Sequence, residues 1–128
     1  MEFYKQSGDN LSEKKPIIQL RHVWKSFQGA VVLKDVNLDI YAGEILVIMG
    51  LSGCGKSTLL KTMIGSLSPD QGTVFVLGKN IYQAGEDERD EIRKKCGMLF
   101  QSAALFDSMN VFENVGLGLR DHMRYEFD

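Results

Sequence analysis

One stretch constrains this chain more than any other. Gly50-Leu-Ser-Gly-Cys-Gly55-Lys56-Ser57 fits the phosphate-binding loop pattern G-x-x-x-x-G-K-[ST] at every fixed position. Each residue type in that pattern has a physical task. The glycines let the backbone curl so that successive amides point inward at phosphate oxygens, Lys56 reaches the β and γ phosphates, and the Ser57 hydroxyl ligates Mg²⁺. The neighbours on either side suit the loop. Glu44-Ile-Leu-Val-Ile-Met49 is a short apolar run of the kind a doubly buried parallel strand shows, and Ser57 to Gly65 continues at helical period. A strand, a glycine-rich loop and a helix therefore stand in the order that a nucleoside triphosphate cradle requires, with the helix start aimed at the phosphates.

The flanking sequence divides into readable elements. Met1 to Lys15 is polar and charged, so residues 1–16 are expected to be a disordered leader ending at Pro16. Ile17 to Phe27 reads as a strand followed by a Gln28-Gly29 turn. Val36, Leu38 and Ile40 alternate with Asn37, Asp39 and Tyr41 as in a strand with one wet face. These two strands are expected to run antiparallel. After the loop, Leu59, Leu60, Met63, Ile64 and Leu67 predict an apolar helix face, with Lys61 and Thr62 turned elsewhere. Ser68-Pro-Asp-Gln-Gly72 is a turn and Thr73 to Leu77 a short strand. Glu86 to Lys95 places acids before bases, matching a helix dipole, with Gly97 to end it. Asn110 followed by Glu113 predicts a capping box opening a further helix, in which Gly116 and Gly118 imply fraying or close packing.

Composition excludes several classes. A formal net charge of −2 provides no basic field for nucleic acid, which is not expected as a partner. No apolar run approaches the eighteen or so residues of a membrane span, so any membrane contact is expected to go through a partner. Cys54 and Cys96 sit in no C-x-x-C or Cys/His pattern, so neither a disulfide nor a metal site is expected of them.

Other residues narrow the nucleotide reading. Val31-Val-Leu-Lys-Asp-Val-Asn-Leu-Asp-Ile-Tyr-Ala-Gly-Glu44, the loop with Thr58-Leu-Leu60, Ser68-Pro-Asp-Gln-Gly72 and the later Gln101 together resemble the start of an ABC transporter ATPase subunit. The resemblance runs in order over residues 17–118. It implies an α/β P-loop NTPase core: a parallel sheet with flanking helices and an N-terminal antiparallel β portion, incomplete here. Residues 17–128 would be the N-terminal part of the nucleotide-binding domain, ending inside or before its helical subdomain. It also implies ATP and Mg²⁺ as ligands. Gly50, Ser52, Gly53, Cys54, Gly55, Lys56, Ser57 and Thr58 would line the phosphates. Ser57 and Gln101 would share Mg²⁺, with Lys56 and Gln101 the catalytic residues within this stretch. Phe27 falls where the family places an adenine-stacking aromatic, with Trp24 the alternative.

Within the family, Met98 to Val115 and Leu119-Arg-Asp-His122 look most like the ATPases of Mla-type, Mce-linked phospholipid and organic-solvent-tolerance transporters, although Gly116-Leu-Gly118 departs from the bulkier sequence of that group. The resemblance implies transmembrane permease subunits, a second ATPase subunit facing the first head to tail, and indirectly a periplasmic lipid-binding protein, at the cytoplasmic face of the inner membrane. Another ABC importer class and a non-catalytic nucleotide-binding module are the alternatives. A small-molecule kinase would need an acceptor site and lid arginines, whereas residues 98–115 resemble a permease-coupling loop. No apolar strand ending in Asp follows Gln101, no L-S-G-G-Q signature is present, and His122 comes too early for the switch histidine. The chain is therefore expected to be an N-terminal portion that binds nucleotide without turnover.

Overall fold

The alternating residues of the N-terminal half build its longest elements. In the computed structural model, which describes residues 1–6, 15–99 and 105–123, the chain divides into two units, Met1–Arg93 and Lys94–Asp128. In the first, strands β2 (Pro16–Phe27) and β3 (Ala30–Tyr41) pair antiparallel, as their patterning predicts. They are joined by Gln28-Gly29, whose φ angles of 47° and 83° are those of a hairpin turn matched to strand twist. The ladder is bulged. Its register shifts between Leu20 and Val23, where His22 has φ 50°, and its amide donates to Asn37 Oδ1 at 2.9 Å instead of to a strand carbonyl.

Strand β5 (Gln71–Val76) takes the other edge of β2, and the two-residue β6 (Lys79–Asn80) pairs with β5, giving the order β3-β2-β5-β6. One face of this sheet buries Leu20, Val23, Leu33, Leu38, Val74 and Val76 together with Leu59 and Met63 of helix α1 (Lys56–Met63) and with Ile81 and Ile92. Each such side chain contributes about 1.5–3 kcal/mol by leaving water. Ile92 belongs to α2 (Glu86–Arg93), whose acidic first turn and terminal Arg93 follow the dipole pattern of its sequence. The face of α1 is not the expected one. Thr62 is fully buried and Leu60 is exposed, because Thr62 Oγ1 donates to Thr58 O at 2.9 Å, satisfying the hydroxyl inside the helix.

Two expectations fail at strand β4 (Ile45–Met49). It pairs antiparallel with β1 (Glu2–Gln6), from Glu2↔Met49 to Gln6↔Ile45, so residues 2–6 form a strand where a disordered leader was expected. Residues 7–14 of that leader lie outside the described residues. The strand is held by its side chains. Phe3 opposes Ile48, and the Lys5 ammonium lies 3.4 Å from the Glu44 carboxylate, which is only 1% exposed, and 5.5 Å from the centroid of the Tyr41 ring. Nor do the described residues of this unit cover β4 on both sides. Leu46 and Ile48 pack on the core, while Ile45, Val47 and Met49 are exposed. All strand pairings among the described residues are antiparallel, so the parallel part of the expected sheet is not among them.

In the second unit, the predicted capping box forms. Glu113 N donates to Asn110 Oδ1 at 2.9 Å and Asn110 N to Glu113 Oε2 at 2.8 Å, opening α3 (Val111–Met123). Asn114 ties the preceding loop to the helix, its amide donating to the carbonyls of Phe106, Met109 and Asn110. Gly116 is buried, as close packing requires, whereas Gly118 is exposed with open space around its Cα.

Candidate functional site: a phosphate-binding loop on a hairpin

Strand β4 delivers the chain to Gly50, and the loop closes in a tight curl before α1. Cys54 N donates to Leu51 O at 3.3 Å, and the Lys56 ammonium folds back to donate to Gly50 O at 2.9 Å and Leu51 O at 2.8 Å. The lysine thus bridges the two ends of its own loop. Cys54 Sγ lies 3.9 Å from the same ammonium, and a Cβ on Gly50 would come within 2.5 Å of that sulfur, so a side chain there would displace the Cys54 thiol.

The loop is pressed onto β3. Register passes from Lys25↔Leu33 directly to Ser26↔Val31, leaving Val32 as the extra residue of a bulge, and a Cβ on Gly55 would lie 2.8 Å from Val32 Cγ1 and 3.0 Å from its carbonyl. Gly55, at φ 98°, is also the N-cap of α1. It provides no side-chain cap, and the first turn of α1 holds no acidic residue. The free amides and positive dipole end of the helix are therefore left for an outside anion, beside a lysine already at the loop.

Of the residues read from the sequence, Gly50, Ser52, Gly53, Cys54, Gly55, Lys56, Ser57 and Thr58 are brought together here, with Ser52, Gly53 and Ser57 exposed. Phe27 ends β2, on the hairpin against which the loop packs: its cross-strand partner Ala30 is two residues from Val32, or about 7 Å along a strand. Gln101 lies outside the described residues. Mg²⁺ keeps most of its waters and takes one or two protein oxygens plus phosphate, and the exposed hydroxyl of Ser57 at the head of α1 fits that demand. A cavity of about 440 Å³ opens beside the loop between Cys54, residues 32–37 of β3, Met1, and Phe3 of β1.

Residues that sequence periodicity does not single out hold the far end of α1. The Tyr82 hydroxyl lies 2.7 Å from Thr62 O and 2.6 Å from Leu67 O, and Arg93 Nη2 donates to Gly65 O at 3.3 Å. Burial pushes the Tyr82 hydroxyl up to about 12, against the pull of the Leu67 hydrogen bond and of Arg89 and Arg93. An unfolded tyrosine loses its proton near pH 10, so between about pH 10 and 12 the folded chain holds a proton that the unfolded chain has lost. Stability contributed by this group is full below pH 10 and is lost as pH rises to about 12. Denaturant titrations across that window are expected to show a steeper loss for the parent than for Tyr82→Phe. Identical slopes would refute the assignment.

A family model described as ABC transporter matches residues 33–128. This chain belongs to the ABC transporter family. Among its relatives, a probable ribonucleotide transport ATP-binding protein, mkl, from Mycobacterium leprae is 41% identical over 91% of this chain and 34% of its own length. The spermidine/putrescine import ATP-binding protein PotA of Aggregatibacter actinomycetemcomitans is 41% identical over 88% of this chain and 29% of its own. The solved ATP-binding cassette MJ0796, a dimer in a post-hydrolysis state with ADP and Pi, superposes with a TM-score of 0.72 at 31% identity, covering 87% of this chain and 50% of that one. This ABC-family chain thus spans about a third of the length of the curated relatives it matches. Among its described residues, no helix is long and apolar enough to cross a membrane.

Proposed function

We propose that this chain binds Mg²⁺–ATP through Gly50–Thr58 as the ATP-binding portion of an ABC transporter ATPase that energises membrane transport. What supports this reading is the loop itself, where the Lys56 ammonium lies on the Gly50 and Leu51 carbonyls and the first turn of α1 has neither a side-chain cap nor an acidic residue. Ser57 would share the Mg²⁺ with Gln101, and Phe27 would stack on the adenine. The partners would be permease subunits and a second ATPase subunit, a reading supported by the dimeric state of the MJ0796 cassette. Phospholipid is the proposed cargo, on the strength of residues 98–115 and 119–122. The relatives named for ribonucleotide transport and polyamine import favour the second reading, another ABC importer class.

Phosphoryl transfer depends on positioning and charge stabilisation, and the sequence after Gln101 holds no apolar run ending in Asp-Glu to orient a water. The purified chain is therefore expected to bind a fluorescent ATP analogue saturably, with displacement by Mg²⁺–ATP, and to release phosphate only at background rate. Absence of saturable binding would refute the proposed site. Phosphate release that disappears in a Lys56 variant would refute the absence of turnover. Cargo is tested by reconstituting an ABC transporter that contains this chain together with its permease and comparing phospholipid with polyamine as the stimulant of ATP turnover.

A further inference from the structure

Past the pair Trp24↔Gln71, no strand among the described residues pairs with β2 on its β5 side, and its last residues need partners there. Asp70 supplies them from the turn before β5. Its amide donates to Trp24 O at 2.8 Å, while its carboxylate accepts from Ser26 N at 2.6 Å through Oδ2 and from Lys25 Nζ at 2.7 Å through Oδ1. Main chain and side chain of one residue therefore bracket Trp24 to Ser26, immediately before Phe27. Lys25 continues the chain of contacts. Its ammonium lies 5.6 Å from the centroid of the Phe27 ring, within cation–π range, and its side chain is only 15% exposed. Phe27 itself is 45% exposed.

We propose that Asp70 is a positioning residue for nucleotide binding: by fixing Lys25 and the Ser26 amide, it sets the Phe27 ring in the orientation that receives the adenine. The inference rests on the reading of Phe27 as the stacking residue. Lys25 occupies one face of the ring, which leaves the base the other, and a pre-set ring loses less freedom when the base arrives. The Lys25 and Ser26 hydrogen bonds hold the Asp70 carboxyl below the ordinary aspartate range, so it is charged throughout the pH range of nucleotide binding.

The test compares Mg²⁺–ATP with inorganic tripolyphosphate, which engages the phosphate loop and has no base. Phe27→Ala is expected to weaken ATP about tenfold, the order of one base–aromatic stack, with tripolyphosphate unchanged. Asp70→Ala is expected to weaken ATP about fivefold with tripolyphosphate again unchanged, and to add nothing in the Phe27→Ala background. Asp70→Asn, which keeps an acceptor for Ser26 N, is expected to lose less, and Lys25→Met to fall between; these two also serve if Asp70→Ala does not fold. If Phe27→Ala leaves ATP affinity intact, the stacking reading fails. If Phe27→Ala weakens ATP but the Asp70 and Lys25 variants do not, the positioning role alone fails. An equal loss for ATP and tripolyphosphate in the Asp70 variants would make Asp70 a general structural residue and overturn the proposal.

Discussion

Replacing Lys56 with alanine is expected to weaken Mg²⁺–ATP binding by about 10- to 150-fold, the range set by roughly 1.5–3 kcal/mol for hydrogen bonds to charged groups. Two effects combine in that loss. The ammonium is the only charge within Gly50–Ser57, and by donating to Gly50 O and Leu51 O it holds the loop curled before any phosphate arrives. Binding exchanges those two carbonyls for phosphate oxygens, so the variant loses both the attraction and the pre-curled loop. The fold should tolerate the change. Lys56 is the partly exposed first residue of α1, and alanine is the strongest helix former. Lys61, exposed in the last turn of the same helix, is the control: Lys61→Ala removes the same charge away from the loop and is expected to leave affinity unchanged. Fluorescent-analogue titration of the three proteins, with thermal melts alongside, separates these outcomes. An affinity for Lys56→Ala within about threefold of the parent would contradict the charge-assisted role assigned to the ammonium.

The features legible in the sequence are those whose determinants are adjacent in the chain. The phosphate loop is read residue by residue because each type answers a local demand of backbone or phosphate. The Asn110–Glu113 box and the β2–β3 hairpin follow from spacings of three and two. What stayed hidden is carried by contacts between distant residues. Lys5 reaches the buried carboxylate of Glu44, Asp70 meets Ser26 across 44 positions and Tyr82 meets Thr62 across 20, and no periodicity encodes such pairs. β4 shows the opposite difficulty. Its sequence is apolar on both faces and so reads as doubly buried, yet Ile45, Val47 and Met49 are exposed, because burial depends on what lies opposite a strand and the strand's own sequence does not specify that. Thr62 departs from its sequence for a related reason: its polarity suggests solvent, while a bond to its own helix lets it enter the core.

Gly72→Ala is expected to cost about 2–5 kcal/mol, a large share of the roughly 5–15 kcal/mol that holds a domain folded. At φ +90° the backbone of Gly72 is in a region that side chains rarely occupy, and a Cβ there would stand 2.3 Å from His22 O and 2.5 Å from Arg21 O. Those carbonyls belong to the bulge of β2, where register with β5 breaks between Arg21 and Trp24. The bulge pushes main chain toward β5, and a residue without a side chain is what allows β5 to pass. Because the obstruction is backbone, no rotamer change relieves it. β5 would have to move off β2, disturbing the buried Val74 and Val76 and the turn that carries Asp70. Gly78→Ala isolates the conformational part, since Gly78 has φ +80° but nothing within 4 Å of the added carbon, and about 1 kcal/mol is expected there. At about 4–8 °C per kcal/mol for a unit of this size, the two variants should melt on the order of 8–40 °C and 4–8 °C below the parent. Equal shifts for the two would show that φ alone constrains Gly72 and that the close passage of β5 over the bulge contributes nothing.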